Sequence, residues 1–395
     1  MKLFSKLPLP LNAAASTSAS GENKVVLALL AGKRTLDWAA CRGRLVLGAD
    51  HPGIINLING KTKNVPTNAV AELQKAISRI TGYEKIIFTK TGSEAQELAI
   101  RLVASWGERE GKDKEKGIAL VTPCSPWSHE RFPLGPMKKK ALPFDNLSAL
   151  EGELWTNNSA VAFMMNTIHW SEDKGFQVPG TRYLTEVRRV CDKHNILWVT
   201  DESASAFGRT GYPLAFMAES CRPDIVVIGD TLGGGIYPTS AVLLSDRVFC
   251  GKEDKPVLKL PDSSLSNHAA AVGLEVIKGY EMEDLAEAAR MNGICLKTAI
   301  QWALGPEELT CVTGKGLLMA IRVHGGIGSA SEICLEMRKR GVSVWPCSDH
   351  YILITPPLTT SQEELVAGVI VLAGVLDWLL ERTARKHCIG KFKFD

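Results

Sequence analysis

The sequence predicts an α/β protein with a mostly parallel central sheet and a smaller α+β region after it. Short apolar runs of strand length recur between residues 85 and 229, and the segments between them carry apolar residues at helical spacing. Strands that alternate with helices are typical of parallel sheets covered by helices on both faces. The runs that predict buried strands are residues 85–89, 118–122, 160–165, 196–200 and 224–229.

The helix that follows the first run is predicted from the spacing of Ala95, Leu98, Ala99 and Leu102. A second helix is predicted over residues 181–195, between the third and fourth runs. Ahead of the sheet region, short apolar runs alternate with glycine turns. This pattern predicts a strand, a loop and then a helix that begins after Pro52. The loop carries two arginines, Arg42 and Arg44.

Beyond about residue 261 the pattern changes to a long helix, Asn267 to Met282, followed by a region with its own strands. Those strands are predicted at residues 316–323 and 351–357, with a helix at 330–341 between them. We therefore predict that the polypeptide divides into several parts. They are a disordered tail (1–25), an N-terminal segment that joins the small domain (26–80), a large domain (81–285) and a C-terminal small domain (286–395).

The last helix has a recognisable beginning, because Ser361 and Glu364 have the spacing of a capping box. Its apolar stripe runs to about Trp378. The longest apolar stretch in the chain, Leu365 to Leu376, is too short to span a bilayer, so we predict no association with a membrane.

A formal net charge of +3 over 395 residues gives no reason to expect a nucleic-acid partner. The basic clusters Lys138–Lys140 and Arg338–Arg340 are interpreted as solvated surface. Ten cysteines are scattered singly, without C-x-x-C pairs or Cys/His spacing suited to zinc, which predicts no metal site and a reduced, cytoplasmic location. The start of the chain has no acidic residue before Glu22, which leaves organelle targeting open.

Two features mark a possible ligand site at the carboxyl ends of the predicted strands, where α/β sheets form their crevices. Thr91, Gly92 and Ser93 end one strand and open a helix, and free N–H groups at that point suit an anion such as phosphate. A plain helix cap is the alternative there. Asp201 ends the strand ILWVT and is either a ligand contact or a local cap.

Several motifs, in this order and spacing, resemble those of the class III aminotransferases, and most closely those of the ornithine aminotransferases. They are LDW, GADHPG, TKTGSEAQELAIRL, VTDESASAFGRTG, PDIVVIGDTLGGGIYPTSAVL, VTGKGLL and ITPPLT. The resemblance covers about residues 30 to 380. It implies the fold type I of pyridoxal-phosphate (PLP) enzymes, a homodimer with shared active sites, and a bound PLP.

The resemblance also implies roles for individual residues. Gly92 and Ser93, with Thr91 beside them, match the phosphate cup. Asp201 matches the aspartate that keeps the pyridine nitrogen protonated and so makes the ring an electron sink. Trp127 is the nearest candidate for the aromatic residue that stacks on the ring.

Other positions depart from the family's pattern. Where the family has its Schiff-base lysine, this sequence has Asp230, and a carboxylate cannot form an imine. Where it has an arginine for the substrate α-carboxylate and a glutamate that often pairs with it, this sequence has Leu353 and Asn166. Where the family has a glutamine beside the ring oxygen, this sequence has Ala204. Where the ornithine aminotransferases have a substrate-contacting tyrosine, this sequence has Arg42 at about the same position. With Arg42, Arg44, Asn166 and Leu353 lining it, the pocket is not expected to take standard amino acids.

Three hypotheses follow. The protein is an enzyme that holds PLP or its amine form (PMP) non-covalently, or needs no cofactor, and uses Asp230 for proton transfer in an elimination, isomerisation or cyclisation. Alternatively, it is a non-catalytic pseudoenzyme that binds a ligand or partner. As a third option, it transaminates with a displaced lysine such as Lys252, Lys255 or Lys259. Asp230 also has a purely structural alternative, an inert bridge to Arg42, Arg44 or Lys90.

Overall fold

The computed structural model describes residues 32, 34–61, 65–112, 117–123, 125, 137–249, 265–304, 310–323 and 328–390. The strands are β1 (Leu36–Asp37), β2 (Lys85–Thr89), β3 (Ile118–Val121), β4 (Lys138–Ala141), β5 (Ala160–Asn166), β6 (His169–Ser171), β7 (Gly175–Gln177), β8 (Leu197–Asp201), β9 (Ile225–Ile228), β10 (Ser240–Leu244), β11 (Thr310–Lys315), β12 (Leu318–Val323), β13 (Val342–Ser343), β14 (Trp345–Pro346) and β15 (Tyr351–Ile354). The helices are α1 (Pro52–Ile58), α2 (Ala69–Thr81), α3 (Gly92–Arg109), α4 (Leu147–Thr156), α5 (Tyr183–Lys193), α6 (Asp246–Phe249), α7 (Asn267–Met282), α8 (Leu285–Leu304), α9 (Ala330–Lys339) and α10 (Gln362–Gly390). Short 3₁₀ turns cover Ala215–Ala218 and Asp230–Gly233.

A seven-stranded sheet in the order β2-β10-β9-β8-β5-β3-β4 forms the centre of the described structure. The neighbours β9, β8, β5, β3 and β4 pair in parallel, which confirms the predicted mostly parallel α/β sheet. Every residue of β8, β9 and β10 is buried, because helices cover the sheet on both faces.

Strand β10 is the exception to the parallel arrangement, since it runs antiparallel to both β9 and β2. The chain returns from β9 to β10 through the 3₁₀ turn and two glycines with positive φ, Gly234 at 64° and Gly235 at 70°. A parallel connection would require a crossover that this short link does not provide. The link holds Asp230 at the end of the sheet.

The C-terminal region contains a four-stranded antiparallel sheet in the order β11-β12-β15-β14. The strand predicted over 351–357 ends early, at Ile354. The N–H of Thr355 donates instead to Trp38, and Pro356 and Pro357 have no N–H to offer a sheet. Strand β1 pairs with β13, so the N-terminal segment contacts this region, while the division into domains stays a prediction.

Two surface features follow from local sequence. The capping box that opens α10 is confirmed, because Ser361 Oγ accepts from Glu364 N at 3.3 Å and Ser361 N donates to Glu364 Oε2 at 2.8 Å. The lysines Lys138–Lys140 form the edge strand β4, where charged side chains discourage pairing with another sheet.

Within the described ranges, no helix has the length and apolar character needed to cross a membrane.

Candidate functional site

The carboxyl ends of the central strands bring the predicted site residues near one another. Asp201 is the last residue of β8 and lies opposite Asn166 of β5 in the sheet register. On its other side, β9 leads directly to Asp230, and β2 leads to the start of α3. This edge is the position at which parallel α/β sheets bind ligands.

Asp201 is a buried carboxylate, with a side chain held by neutral donors. Gln96 Nε2 donates to its Oδ2 at 2.9 Å, and the N–H of Ser203 donates to its Oδ1 at 2.8 Å. Burial raises the pKa of Asp201, and the hydrogen bonds from Ser203 and Gln96 oppose that effect. Among the described residues, no Lys, Arg or His forms an ion pair with it. A buried acceptor of this kind suits a protonated ring nitrogen or another ligand cation.

The start of α3 is built by a reciprocal cap. Thr91 Oγ1 accepts from Glu94 N at 3.2 Å, and the N–H of Lys90 donates to Glu94 Oε2 at 3.0 Å. The capping alternative for Thr91 is therefore present in the structure. Its role toward a cofactor, like that of the exposed Ser93, stays a prediction.

Gly92 makes a close approach at this point. A Cβ on Gly92 would lie 3.5 Å from the Cα of Gly229, and a Cβ on Gly229 would lie 2.7 Å from the Cβ of Ser203. The two glycines thus let the start of α3, the end of β9 and the turn after β8 come together. This packing puts the first helical N–H of α3 beside the residue that follows Gly229.

That residue is Asp230, which accepts from donors on three elements. Its Oδ1 accepts from Gly92 N at 3.2 Å and from Ser240 Oγ at 3.1 Å. Its Oδ2 lies 3.4 Å from Nη1 of Arg44, and 31% of the Asp230 side chain is exposed. Asp230 therefore combines access from solvent with an ion pair to Arg44, the partner foreseen in the structural alternative.

Arg42 lies in a turn with positive φ angles, and its side chain contacts Trp345. Ala40, Cys41 and Arg42 have consecutive positive φ angles of 37°, 51° and 59°, where non-glycine residues are uncommon. The Arg42 guanidinium stacks 4.6 Å from the ring centroid of Trp345. The structure records no contact between Arg42 and Asp201 or Asp230, so its role as a substrate contact stays a prediction.

The remaining predicted residues are spread more widely. Leu353 is buried in the middle of β15, opposite Ala320 of β12, and contributes to the small sheet. Trp127 lies outside the described residues, as do the alternative lysines Lys252, Lys255 and Lys259.

Two contacts of the carboxylates were missed by sequence reasoning. Gln96 is a polar residue at a buried position of α3, four residues after Gly92, and that placement could have pointed to it. Ser240 opens an otherwise apolar strand and bonds Asp230. His169, by contrast, stacks on Phe144 with 4.6 Å between ring centroids, and burial lowers its pKa to about 4. Its surroundings are those of a neutral core histidine.

Comparisons with known proteins identify the family of this chain. The sequence profile of the family described as aminotransferase class-III matches residues 13–124 and 132–376. The chain belongs to the class III aminotransferases. It is 31% identical over 367 residues to the mitochondrial ornithine aminotransferase of Rattus norvegicus, covering 86% of this chain and 82% of the relative. It is 30% identical over 366 residues to that of Drosophila melanogaster, covering 86% and 83%.

A solved structure of Plasmodium falciparum ornithine delta-aminotransferase superimposes with a TM-score of 0.76 at 27% identity. The match covers 88% of this chain and 89% of that one. The chain therefore has the fold of a class III aminotransferase, the PLP-dependent fold type I, and its relatives are named as enzymes.

Class III aminotransferases use PLP, and the site can be tested for its fit to that cofactor. The buried Asp201 carboxylate, which has only neutral donors among the described residues, fits the pyridine nitrogen. The start of α3 fits an anion, although Gly92 N already donates to Asp230. Residue 230 does not fit covalent attachment, because a carboxylate cannot form an imine with an aldehyde.

Proposed function

We propose that this protein is a diverged class III aminotransferase that holds PLP or PMP non-covalently and catalyses a proton transfer instead of transamination. An elimination, isomerisation or cyclisation fits this chemistry. The observation that carries the proposal is the position of Asp230, a partly exposed carboxylate at the end of β9 and next to the N-terminus of α3. A group there can exchange protons but cannot hold an aldehyde covalently.

Different residues of the protein would bind different parts of the cofactor. Asp201 would hold the protonated ring nitrogen, since a ligand cation offsets the cost of its buried charge. Gly92 and Ser93 would hold the phosphate with N–H groups at the start of α3. PLP, when bound, supplies an electron sink for a carbanion at the substrate.

Asp230 would take or give the proton. Arg44 and Ser240 fix the orientation of its carboxylate, because each contacts a different oxygen. Asn166 and Leu353 would replace the family's charged groups for the substrate α-carboxylate. We therefore expect a substrate that is not bound through that carboxylate.

The proposal is tested by titrating the purified protein with PLP and PMP while following cofactor absorbance and protein fluorescence. We expect saturable binding that dialysis reverses, with no cofactor fixed to the protein by borohydride in intact-mass measurements. Asp201→Asn should weaken PLP binding at least about tenfold, because it removes the charge that pairs with the ring nitrogen. Asp349→Asn, at an exposed position, is the matched control.

Two other outcomes of this titration would overturn the proposal or its cofactor site. A borohydride-stable adduct on a lysine would overturn the proposal in favour of transamination with a displaced lysine. Absence of PLP and PMP binding at millimolar cofactor would overturn the cofactor site itself.

A non-catalytic ligand-binding protein is the second candidate, and one observation favours it. The contacts of Asp230 with Arg44, Gly92 and Ser240 are those of a structural bridge between the N-terminal segment, α3 and β10. Homodimer formation through the family's interface belongs to either proposal, and its test is the mass in solution by light scattering.

A further inference from the structure

A cavity of about 180 Å³ lies beyond the end of β5. It is partly open to solvent and is lined by residues from the end of β5, the segment that leads into α5, the 3₁₀ turn 215–218 and the end of β11. Polar and apolar atoms contribute about equally to its wall. The apolar side chains in this wall include Ile168, Val178, Leu184 and Ala215.

This cavity is separate from the site around Asp201. Its wall includes Thr167, whose hydroxyl donates to Glu202 Oε1 at 2.6 Å. Glu202 follows Asp201 in the chain but accepts from the N–H groups of Ala215 and Phe216, whereas Asp201 is bound by Gln96 of α3. Successive residues of extended backbone point to opposite faces, so the two carboxylates serve opposite sides of the sheet.

Two charged side chains of opposite sign line the cavity. Lys315 is half-buried, and its Nζ lies 4.9 Å from the ring centroid of Tyr212. Burial lowers the pKa of Lys315, and the nearby Glu219 opposes that effect. Glu219 Oε2 accepts from both the N–H and the hydroxyl of Thr185, each at 2.8 Å.

These two side chains do not neutralise one another directly. Among the described residues, Lys315 has no carboxylate within 4.0 Å, and Glu219 Oε1 accepts no hydrogen bond. A half-buried lysine and a half-buried glutamate therefore line the same small pocket without a direct ion pair. A ligand that carries both an anionic and a cationic group would complement these two charges.

We propose that this cavity binds a small aliphatic α-amino acid as a zwitterion. The ligand's carboxylate contacts Lys315, and its ammonium contacts Glu219 Oε1. Its aliphatic side chain packs against Ile168, Leu184 and Ala215. The volume is below the roughly 300–1,000 Å³ of pockets for drug-sized ligands, which limits the occupant to a molecule of this size.

The test uses isothermal titration of the full-length protein with three probes of the same carbon skeleton. They are L-leucine, 4-methylpentanoate, which lacks the ammonium, and 3-methylbutylamine, which lacks the carboxylate. We expect L-leucine to bind and each analogue to bind at least about tenfold more weakly, since each loses one charge-assisted contact.

Variants then locate the site. Lys315→Met should weaken the binding of L-leucine at least about tenfold and leave the binding of 3-methylbutylamine unchanged. Glu219→Gln should weaken the binding of L-leucine and leave the binding of 4-methylpentanoate unchanged. Glutamine keeps an oxygen for Thr185, so the local fold is retained. Lys174→Met, at an exposed lysine, is the matched control.

The proposal would be overturned by absence of L-leucine binding at millimolar concentration. It would equally be overturned if binding survived Lys315→Met and Glu219→Gln but was lost in Asp201→Asn, because the amino acid would then occupy the site around Asp201.

Discussion

Asp201 and Asp230 are both carboxylates at the ends of neighbouring strands, but the fold gives them opposite surroundings. Asp201 is 3% exposed and accepts only from neutral donors among the described residues. Asp230 is partly exposed and pairs with Arg44. At the scale of a residue, these surroundings are consistent with the two roles proposed above, a contact to a ligand cation for Asp201 and proton transfer for Asp230.

Replacement of Asp230 by asparagine separates the catalytic from the structural role. If Asp230 transfers the proton, Asp230→Asn should slow Cα proton–deuterium exchange about 10²–10⁴-fold, measured by NMR on a panel of amines and amino acids with PLP present. The melting temperature should hardly change, because the lost ion pair with Arg44 is partly exposed and worth about 1 kcal/mol or less. A large fall in melting temperature with unchanged exchange would instead support the structural bridge.

Replacement of Asp230 by lysine tests the inherited pocket from the other direction. The change restores the amine that the resemblance leads us to expect at this position, so Asp230→Lys should capture PLP covalently and show a borohydride-fixed adduct by mass spectrometry. Glu97→Lys, at an exposed position of the same helix, is the control. Failure of the Asp230→Lys protein to fix any PLP at excess cofactor would contradict the retained cofactor site.

Asp201 also predicts a dependence of stability on pH. Its folded-state pKa is raised above the ordinary value of 3.8, so ionisation is harder in the folded protein than in the unfolded chain. Below pH 3.8 the group is protonated in both states, and its contribution to stability decreases as the pH rises from there through the folded-state pKa.

Asp201→Asn should therefore make the ligand-free protein more stable than wild type at pH 7 but not at acidic pH, measured by urea unfolding at both pH values. Equal stability changes at the two pH values would show that the carboxylate carries no such penalty. The gain in stability would accompany the loss of PLP affinity described above.

At the scale of an element, helix starts are determined by local sequence. Within the described residues, five helices begin with a side-chain cap in which Thr91, Asn146, Ser266, Ser329 or Ser361 accepts from a backbone N–H. Each satisfies an N–H group that has no partner within its helix. Such contacts need only neighbouring residues, which is why the capping box of α10 could be predicted.

Ser361→Ala should therefore cost about 1 kcal/mol of unfolding free energy, because the N–H of Glu364 loses its acceptor. Urea denaturation would measure this, and Ser361→Thr, which keeps the hydroxyl, is the matched control. An unchanged midpoint would mean that packing of the apolar face of α10 alone determines its beginning.

At the scale of the whole molecule, Arg209 joins parts of the chain that are distant in sequence. It is 1% exposed, and its guanidinium donates to the carbonyls of Gly43 and Leu317 and also contacts that of Pro356. These carbonyls belong to the N-terminal segment, the link between β11 and β12, and the segment after β15. One buried cation therefore connects the large sheet region with the others.

Arg209→Met should reduce the unfolding free energy by roughly 3 kcal/mol or more, since it leaves buried carbonyls without donors. Denaturant unfolding followed by both fluorescence and circular dichroism would measure it. Arg182→Met, at an arginine that is 78% exposed, is the control. Unchanged stability in Arg209→Met would mean that the regions are held together by apolar packing alone.

Local patterns in the amino-acid sequence were enough to predict the parallel sheet, the helices between its strands and the position of the carboxylates at strand ends. Those features depend on periodicity and caps, which act within a few residues. The family motifs also located Asp201 and Asp230, with Gly92 and Ser93 close by in the fold. The antiparallel β10 escaped prediction because strand direction depends on the path of the connecting segment.

The partners of these side chains depend on the three-dimensional fold and could not be predicted from the sequence. Asp230 forms its ion pair with Arg44 and not with Arg42. The left-handed turn at Ala40–Arg42 places the Arg42 guanidinium against Trp345 instead. Gln96 reaches Asp201 across 105 positions, and Ser240 and Gly92 meet Asp230 through packing of two glycines. Periodicity and caps are set between neighbours in sequence, whereas the charge, burial and hydrogen bonds of a site are set by residues that only folding brings into contact.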